Sequence, residues 1–384
     1  MPLLDQLDTF VTDVLAPRAA EIDETAEFPQ DVISAAAQIG LQRVLIGDDG
    51  TLDPSRAPLV HEISERLAMH SMASAVAIAN AHLTTYLLLK YAPAELTERW
   101  VEPTLTGETF GAFAITEAHA GTDVRGMASV ARRDGDDYLL TGEKAWVGYA
   151  PNASFAIVLA KEGTAERDAP MVALVVDTAS PGVTGAPGPA FSGLRGMSNG
   201  TLSFDDVRVP AWSRLSVEGF GGMMDGLNLA RIDAASYACG LLRGALVAST
   251  ERAARRTAFG RPLGDLQAIQ AKIGRMATDY QAARALTARA AASFAAGDGG
   301  DQDVISMAKL FTSEAARRHT DAAVQIHGAE GMVRSSWVNR LDRDAKVTQI
   351  FDGTSEIHET MLGRRAVRLT AAGGDLGAFL GREQ

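Results

Sequence analysis

A single cysteine in 384 residues, Cys239, leaves nothing to pair with in a disulfide and no set of thiolates to hold a zinc or iron–sulfur site. Histidine is also sparse, with seven scattered residues, and HEISE at 61–65 lacks the second histidine of a zinc-binding helix, so no metal is expected. Neither G-x-G-x-x-G nor G-x-x-x-x-G-K occurs, which removes the usual dinucleotide and P-loop signatures. No apolar run is read as reaching membrane-spanning length. The N-terminal stretch MPLLDQLDTFVTDVL carries acids inside its apolar run and no basic flank, unlike a signal peptide. With no membrane segment and no disulfide chemistry, the reducing cytoplasm is the expected compartment. Basic residues are the minority, 36 against 48 acidic, and the net charge of −12 would repel a polyanion, so no nucleic acid is expected. That balance still permits an anionic cofactor in a local basic pocket.

What is present suits a globular chain of two or three domains, 46% hydrophobic and 22% charged. Residues 1–108 read as a helical domain: Leu3, Leu4, Leu7, Phe10, Val11, Val14 and Leu15 recur at helical spacing, and Pro29 and Pro93 stand at the starts of further runs. Residues 109–215 change texture. Short β-rich runs such as FGAFAIT, DYLLTGE, SFAIVLA, MVALVV and GTLSFDDVRV are separated by Gly, Asp and Pro clusters, which predicts a middle β domain. Residues 216–384 return to long helices. Leu263, Leu266, Ile269, Ile273, Met276, Tyr280, Ala283 and Leu286 step by three or four and predict an apolar stripe suited to a bundle. The fold class is therefore mainly α with a β domain in the middle.

The chain is organised around RDAKVTQIFDGTSEIH, residues 343–358. Asp352 falls where two helices break, Gly353 permits close approach of a ligand, and Thr354 with Ser355 can cap the next helix. Two readings follow from these residues alone. One is a carboxylate base beside amide donors, equipped to remove a proton next to a carbonyl; the other is an aspartate capping a helix after a tight turn.

This stretch resembles the acyl-CoA dehydrogenases, whose members carry RDAK, an aromatic, a carboxylate and GTSEI at the same spacing. The carboxylate is usually Glu, and here it is Asp352. The likeness runs from about Phe113 to Arg368 with its motifs in the family's order. It implies a helical N-terminal domain, a small β-barrel-like domain and a C-terminal four-helix bundle. It also implies FAD as cofactor, an acyl thioester of CoA or acyl carrier protein as substrate, an electron-transfer flavoprotein as acceptor, and a homotetramer.

Residue by residue, FAITEAHAGTDV resembles the first flavin loop, giving Phe113, Thr116, Gly121 and Thr122 as cofactor contacts. TGEKAWVGYAP resembles GxKxWIT and gives Trp146, Val147 and Gly148. Gly148 departs from the family there, where a hydroxyl reaches flavin N5. RTAFGRPLGDLQ gives Arg256, Phe259 and Gln267 at the flavin pyrophosphate, a partner that suits a guanidinium. QIHGAEGM gives Gln325, Gly328 and Ala329, the last replacing a glycine. The resemblance also adds Thr354 and Glu356 on the cofactor side and Asn228, Arg231 and Gly353 on the substrate side. With Ala230 immediately before Arg231, Asp352 has no competitor as base. Ser74, Ala77 and Ala81 lie on one helical face and, by the resemblance, line the acyl-tail cavity with room for a branched or bulky group.

GMSNG at 196–200 matches the hydrolase elbow G-x-S-x-G, but the segment that follows reads as a strand rather than the required helix. The expected activity is α,β-dehydrogenation of an acyl thioester with Asp352 as base. The rivals are a flavin oxidase or monooxygenase of the same fold, opened by Gly148, and a non-catalytic binding subunit.

Overall fold

Six helices build the N-terminal part of the computed structural model, which describes residues 2–217, 219–374, 376–377 and 379. They are α1 (Leu3–Phe10), α2 (Ala16–Thr25), α3 (Gln30–Gln38), α4 (Ala57–His70), α5 (Met72–Tyr91) and α6 (Ala94–Leu105). Their limits follow local chemistry. Ala26 leaves α2 with a left-handed φ of 59°, a proline stands in the first turn of α4, and Ser71 breaks the chain between α4 and α5, its hydroxyl accepting the Ser74 N–H at 3.3 Å. Helix α5 corrects one expectation, because it is long and apolar enough by length and composition to cross a membrane. It is the core helix of this domain, with 78% of its apolar window buried inside the fold.

The middle part is one seven-stranded sheet: β1 (Gly111–Ala114), β2 (Val130–Asp134), β3 (Asp137–Gly148), β4 (Phe155–Glu162), β5 (Met171–Asp177), β6 (Val183–Pro187) and β7 (Asn199–Pro210). The order is β1-β4-β2-β3-β7-β6, with β5 paired to β4; β1 and β2 run parallel to β4, and the other pairs are antiparallel. Period-two alternation decides what each face meets. Along β4, Ala156, Val158 and Ala160 join the interior of the curled sheet, while Phe155, Ile157 and Leu159 join the helical core. Trp100 of α6 packs on Phe155 with ring centroids 5.0 Å apart. Ser198 stands directly before strand β7 and its carbonyl accepts the Tyr149 N–H, so the G-x-S-x-G match has no helix behind it and is not a nucleophile elbow.

After a short turn, α7 (Gly219–Gly222), the chain forms α8 (Met224–Arg255), a hairpin of β8 (Thr257–Ala258) and β9 (Arg261–Pro262), then α9 (Gln267–Ala295), α10 (Gln302–His327), α11 (Trp337–Thr348) and α12 (Ser355–Ala371). Helices α8, α9 and α10 pack on one another, α11 lies against α8 and α10, α12 covers α10, and α4 reaches across to α8. The predicted stripe begins later than its spacing suggests. Leu263 lies in a 3-10 turn after Pro262 and Leu266 is the extended residue before α9, and the packed stripe runs on from Ile269 through Met276, Ala283 and Ala290. Helix α8 is buried along most of its length, which puts it in position to carry a site.

Candidate active site

The break between α11 and α12 is built by short-range bonds. Ile350 and Phe351 both donate to the Val347 carbonyl, Ser355 N–H reaches back to the Gln349 carbonyl at 3.0 Å, and Thr354 caps α12 by accepting the Ile357 N–H at 3.4 Å. Asp352 takes a left-handed φ of 55° and Gly353 one of 101°. Aspartate is among the few residues that tolerate that region, and glycine adopts it without strain. A Cβ on Gly353 would also stand 3.0 Å from His358 Nε2.

Two cations fix this turn through its carbonyls. Arg231 Nε donates to the Asp352 carbonyl at 3.0 Å, and Lys309 Nζ donates to the Gly353 carbonyl at 2.6 Å. Arg231 is itself held by Asn228 Oδ1 at 3.2 Å, and Asn228 donates onward to the Gly299 carbonyl at 3.0 Å. Gln349 and Ser355, on either side of the turn, both donate to Glu314 Oε1, at 2.6 and 2.7 Å. The half-buried Asp352 carboxylate makes no hydrogen bond or ion pair of its own among the described residues. Burial raises its pKa, against the opposing pull of Lys309 and Arg231. Burial likewise brings Lys309 down to about 8, with Asp352 resisting, and pushes the fully buried His358 to about 3. The result is a carboxylate with free lone pairs on an immobilised backbone beside two fixed positive charges, which is the arrangement of a general base.

The second group of predicted residues meets at one end of the β sheet. Ala145 N–H bonds the Thr116 carbonyl at 2.9 Å, which brings the loop after β1, residues 115–122, to β3, while Phe113 stays within β1 and packs against the helical core. Beneath them lies a buried ion pair whose two members sit in separate motifs: Lys144 Nζ to Glu117 Oε1 at 2.8 Å, with Lys144 also donating to the Ile115 carbonyl at 3.0 Å. Burial pushes the Glu117 carboxyl up, but the N–H groups of Ala128 and Ser129 together with the Lys144 ammonium outweigh it and hold the group at about 2. A shift in pairing between β3 and β7 turns Trp146 outward at φ 59°, leaving it 52% exposed with its ring stacked on Phe191. Val147 points the other way, into the sheet interior, so only its main chain faces this surface. A Cβ added to Gly148 would meet only the terminal methyl of Met197, at 2.8 Å. Gly121 and Thr122 are exposed in the same region.

The third group lies elsewhere. Arg256 ends α8 and lines a cavity of about 470 Å³ with Arg252, Arg255, His327, Glu330 and Trp337. Arg252 is paired to Glu330 at 2.6 Å, whereas Arg255 and Arg256 have no ion pair among the described residues. Gln325, Gly328 and Ala329 flank this cavity and are exposed, as is Gln267 at the start of α9. Phe259, on the hairpin tip, is 91% exposed at φ 52°. No hydrogen bond or ion pair among the described residues joins this cavity to the Trp146 surface. Two unpaired guanidiniums in a cavity and the exposed aromatic rings of Trp146 and Phe259 suit a ligand that has both a phosphate pair and flat rings.

The predicted tail face is closed. Ser74, Ala77 and Ala81 are all buried, Ser74 Oγ lies 3.0 Å from Ser71 Oγ, and Ala77 and Ala81 line a void of about 10 Å³, the scale of one water. Lys309 and the Lys144–Glu117 pair carried no local signal as site residues, because each acts on a segment distant in sequence; His358 stands against its own turn, five residues beyond Gly353.

Comparison with known proteins completes the picture. Three family descriptions match in order: "Acyl-CoA dehydrogenase, N-terminal domain" over residues 2–108, the middle domain over 112–207 and the C-terminal domain over 217–367. The chain is 34% identical over 360 residues to the mitochondrial short-chain specific acyl-CoA dehydrogenase of Bos taurus, covering 92% of this chain and 86% of that one. Among solved structures it superposes on butyryl-CoA dehydrogenase from Megasphaera elsdenii with a TM-score of 0.88 at 28% identity, covering 95% and 97% of the two chains. A chain in the structure titled for the electron transferring flavoprotein of Acidaminococcus fermentans gives 0.87 at 28% identity, with the same coverage.

Proposed function

Because the chain belongs to the acyl-CoA dehydrogenase family of FAD-dependent oxidoreductases, we propose that it desaturates an acyl thioester between Cα and Cβ with Asp352 as the base. The observation that carries this reading is the Asp352 carboxylate, free of partners while Arg231 and Lys309 hold the carbonyls on either side of the Asp352–Gly353 bond. A base fixed in this way is pre-positioned, and orientation supplies much of the rate in a reaction that needs base and α-carbon aligned. Asn228 and Arg231 serve the substrate through that turn, since their polar atoms are taken up by main-chain carbonyls and by each other. The positive charges of Lys309 and Arg231 favour the ionised carboxylate that must receive the α-proton.

Bound FAD supplies the acceptor for the hydride leaving Cβ. On this reading Trp146, with Thr116, Gly121, Thr122 and the main chain of Val147, presents the ring-binding surface. Arg256 and Arg255 meet the pyrophosphate, with Phe259, Gln267, Gln325, Gly328 and Ala329 around it, and Thr354 and Glu356 complete the cofactor side. A cofactor with its rings at the first surface and its pyrophosphate at the second fits one shared between subunits of a homotetramer. The electron transferring flavoprotein named for one structural neighbour supports such a protein as the electron acceptor.

Anaerobic addition of a panel of acyl-CoA and acyl carrier protein thioesters to the purified holoenzyme tests the reading: at least one should bleach the flavin. Failure of the whole panel would contradict it. Gly148 gives a second reading, oxidase chemistry, one observation in its favour, because this residue offers no side-chain hydroxyl at the end of β3. Gly148→Thr requires only the terminal methyl of Met197 to move. If Gly148 governs oxygen reactivity, the threonine should shift the flavin potential by about 20 mV, the equivalent of one hydrogen bond of about 1 kcal/mol, and slow reoxidation by oxygen.

A further inference from the structure

Strand β3 ends against a loop that is locked to the helix leading into the base. The loop, residues 188–198, runs from β6 to β7 and meets the end of β3 at three points. Phe191 stacks on the Trp146 ring, with centroids 6.0 Å apart and planes inclined by 23°. The Met197 terminal methyl lies against Gly148, where an added Cβ would meet it at 2.8 Å, and the Ser198 carbonyl accepts the Tyr149 N–H. Between these contacts the chain turns onto α11. Asp344 Oδ1 accepts the Leu194 N–H at 2.7 Å, Arg343 Nη1 donates to the Ser192 carbonyl at 2.7 Å, and a Cβ on Gly193 would collide with the Arg343 carbonyl. Arg343 also bonds Asp23 of α2 at 2.8 Å, and Arg195 donates to the Glu24 carbonyl at 2.9 Å, so the loop is held from two sides.

Helix α11 ends at Thr348, and the Asp352 turn follows directly. The Trp146 surface and the base are therefore both referenced to one helix, the first through the loop and the second through the helix's C-terminal end. As a purely structural tie Asp344 is a poor one. It is 4% exposed, forms no ion pair among the described residues, and its single hydrogen bond there is the Leu194 N–H. Burial pushes its carboxyl up to about 6, above its ordinary value of 3.8, so ionisation at neutral pH costs the fold stability. What Asp344 secures is the place of Leu194. That residue has a left-handed φ of 51°, and its carbonyl accepts the Met197 N–H at 3.0 Å, which makes the turn between Phe191 and Met197.

We infer that Asp344 is a positioning residue: by holding Leu194 it fixes the 191–198 loop, and through Phe191 the Trp146 ring, in register with Asp352, so that the ring-binding surface and the base stay aligned on one acyl chain. This rests on the placement of the flavin ring at Trp146 and deepens that reading. Small misalignments between groups that must act together cost large factors in rate, so a loop tied to the base's own helix has a direct use.

Two measurements on the holoenzyme, both taken per bound FAD, test it: the visible circular dichroism of the flavin, and stopped-flow bleaching by the acyl-CoA that bleaches the wild type fastest. Asp344→Ala should lose about half of the flavin dichroism and bleach about tenfold or more slowly at saturating thioester, with the thioester's Kd within about twofold of the wild type. Asp344→Asn keeps an acceptor oxygen for the Leu194 N–H and should recover both signals. Phe191→Ala leaves the anchor intact, removes only a half-buried ring, and should reproduce the Asp344→Ala spectrum. Should Asp344→Ala fail to fold, Phe191→Ala decides alone, because the loop is held to act through that ring. Wild-type dichroism and wild-type limiting rate in either variant would overturn the inference, whatever the melting temperature does. Altered dichroism in the variants with no bleaching of the wild type by any thioester removes the reaction and leaves the positioning. Bleaching of the wild type with unmoved variants removes the positioning and leaves the reaction. If Trp146→Leu also leaves the dichroism unmoved, the ring surface itself is misplaced and the inference falls with it.

Discussion

Arg231 and Asp352 carry opposite charges, yet the guanidinium bonds the main-chain carbonyl of Asp352, at 3.0 Å, and leaves the carboxylate free. Lys309 repeats the arrangement one residue on, at the Gly353 carbonyl. Both cations therefore position the base and tune it without occupying the lone pairs that receive the proton. The reaction needs the carboxylate ionised, so kcat/KM should rise as pH passes upward through the Asp352 pKa, which burial places above the usual carboxylate value. Lys309 pulls that pKa down, so Lys309→Met should move the acid limb to higher pH. It should also slow flavin reduction about tenfold to a hundredfold through a loosened turn, with FAD retention unchanged. A pH–rate profile checks this, and an unmoved limb would exclude Lys309 from the electrostatics of the base.

The Glu117–Lys144 pair should behave as a buried ion pair. Removing one partner by Glu117→Gln or Lys144→Met leaves the other charge unanswered and should cost about 3–5 kcal/mol in a denaturation experiment. The gain is one-sided, because burial holds Lys144 below its ordinary pKa despite Glu117. The double variant should therefore lose less than the sum of the singles. Glu117 is depressed from 4.5 to about 2, so its stabilisation is fully present above pH 4.5 and fades as pH falls towards 2. Additive losses would contradict the coupling.

What could be read in the sequence was what is decided locally. Asp352, Gly353 and Thr354 announce their turn because a left-handed aspartate, a left-handed glycine and a threonine cap are short-range chemistry. The β-rich run of β4 and the start of α6 after Pro93 were legible for the same reason. Partners distant in the chain were not. Arg231 lies 121 positions from Asp352, and Lys309 lies 44 from Gly353, so only the packing of α8 and α10 against the α11–α12 turn reveals what either cation does. The small residues Ser74, Ala77 and Ala81 show the same limit, since spacing gives a face but not what fills the space opposite.

Arg256 stands exposed in its cavity without an ion pair, so it contributes little to folding of the single chain and should matter chiefly to what enters the cavity. Arg256→Ala should lower FAD occupancy during gel filtration and loosen the oligomer in parallel, with the melting temperature of the cofactor-free protein nearly unchanged. Full colour with an intact assembly would place the pyrophosphate elsewhere.

The central claim is that Asp352 takes the α-proton, and the rate of flavin bleaching in two variants tests it most directly. Asp352→Asn keeps the shape and tolerates the left-handed φ of 55°, so it should retain FAD and bind thioester while bleaching is abolished. Asp352→Glu adds about 1.5 Å of reach at a backbone conformation that glutamate adopts less readily, and it should be slower than the natural enzyme. Bleaching of Asp352→Asn at the wild-type rate would contradict the account.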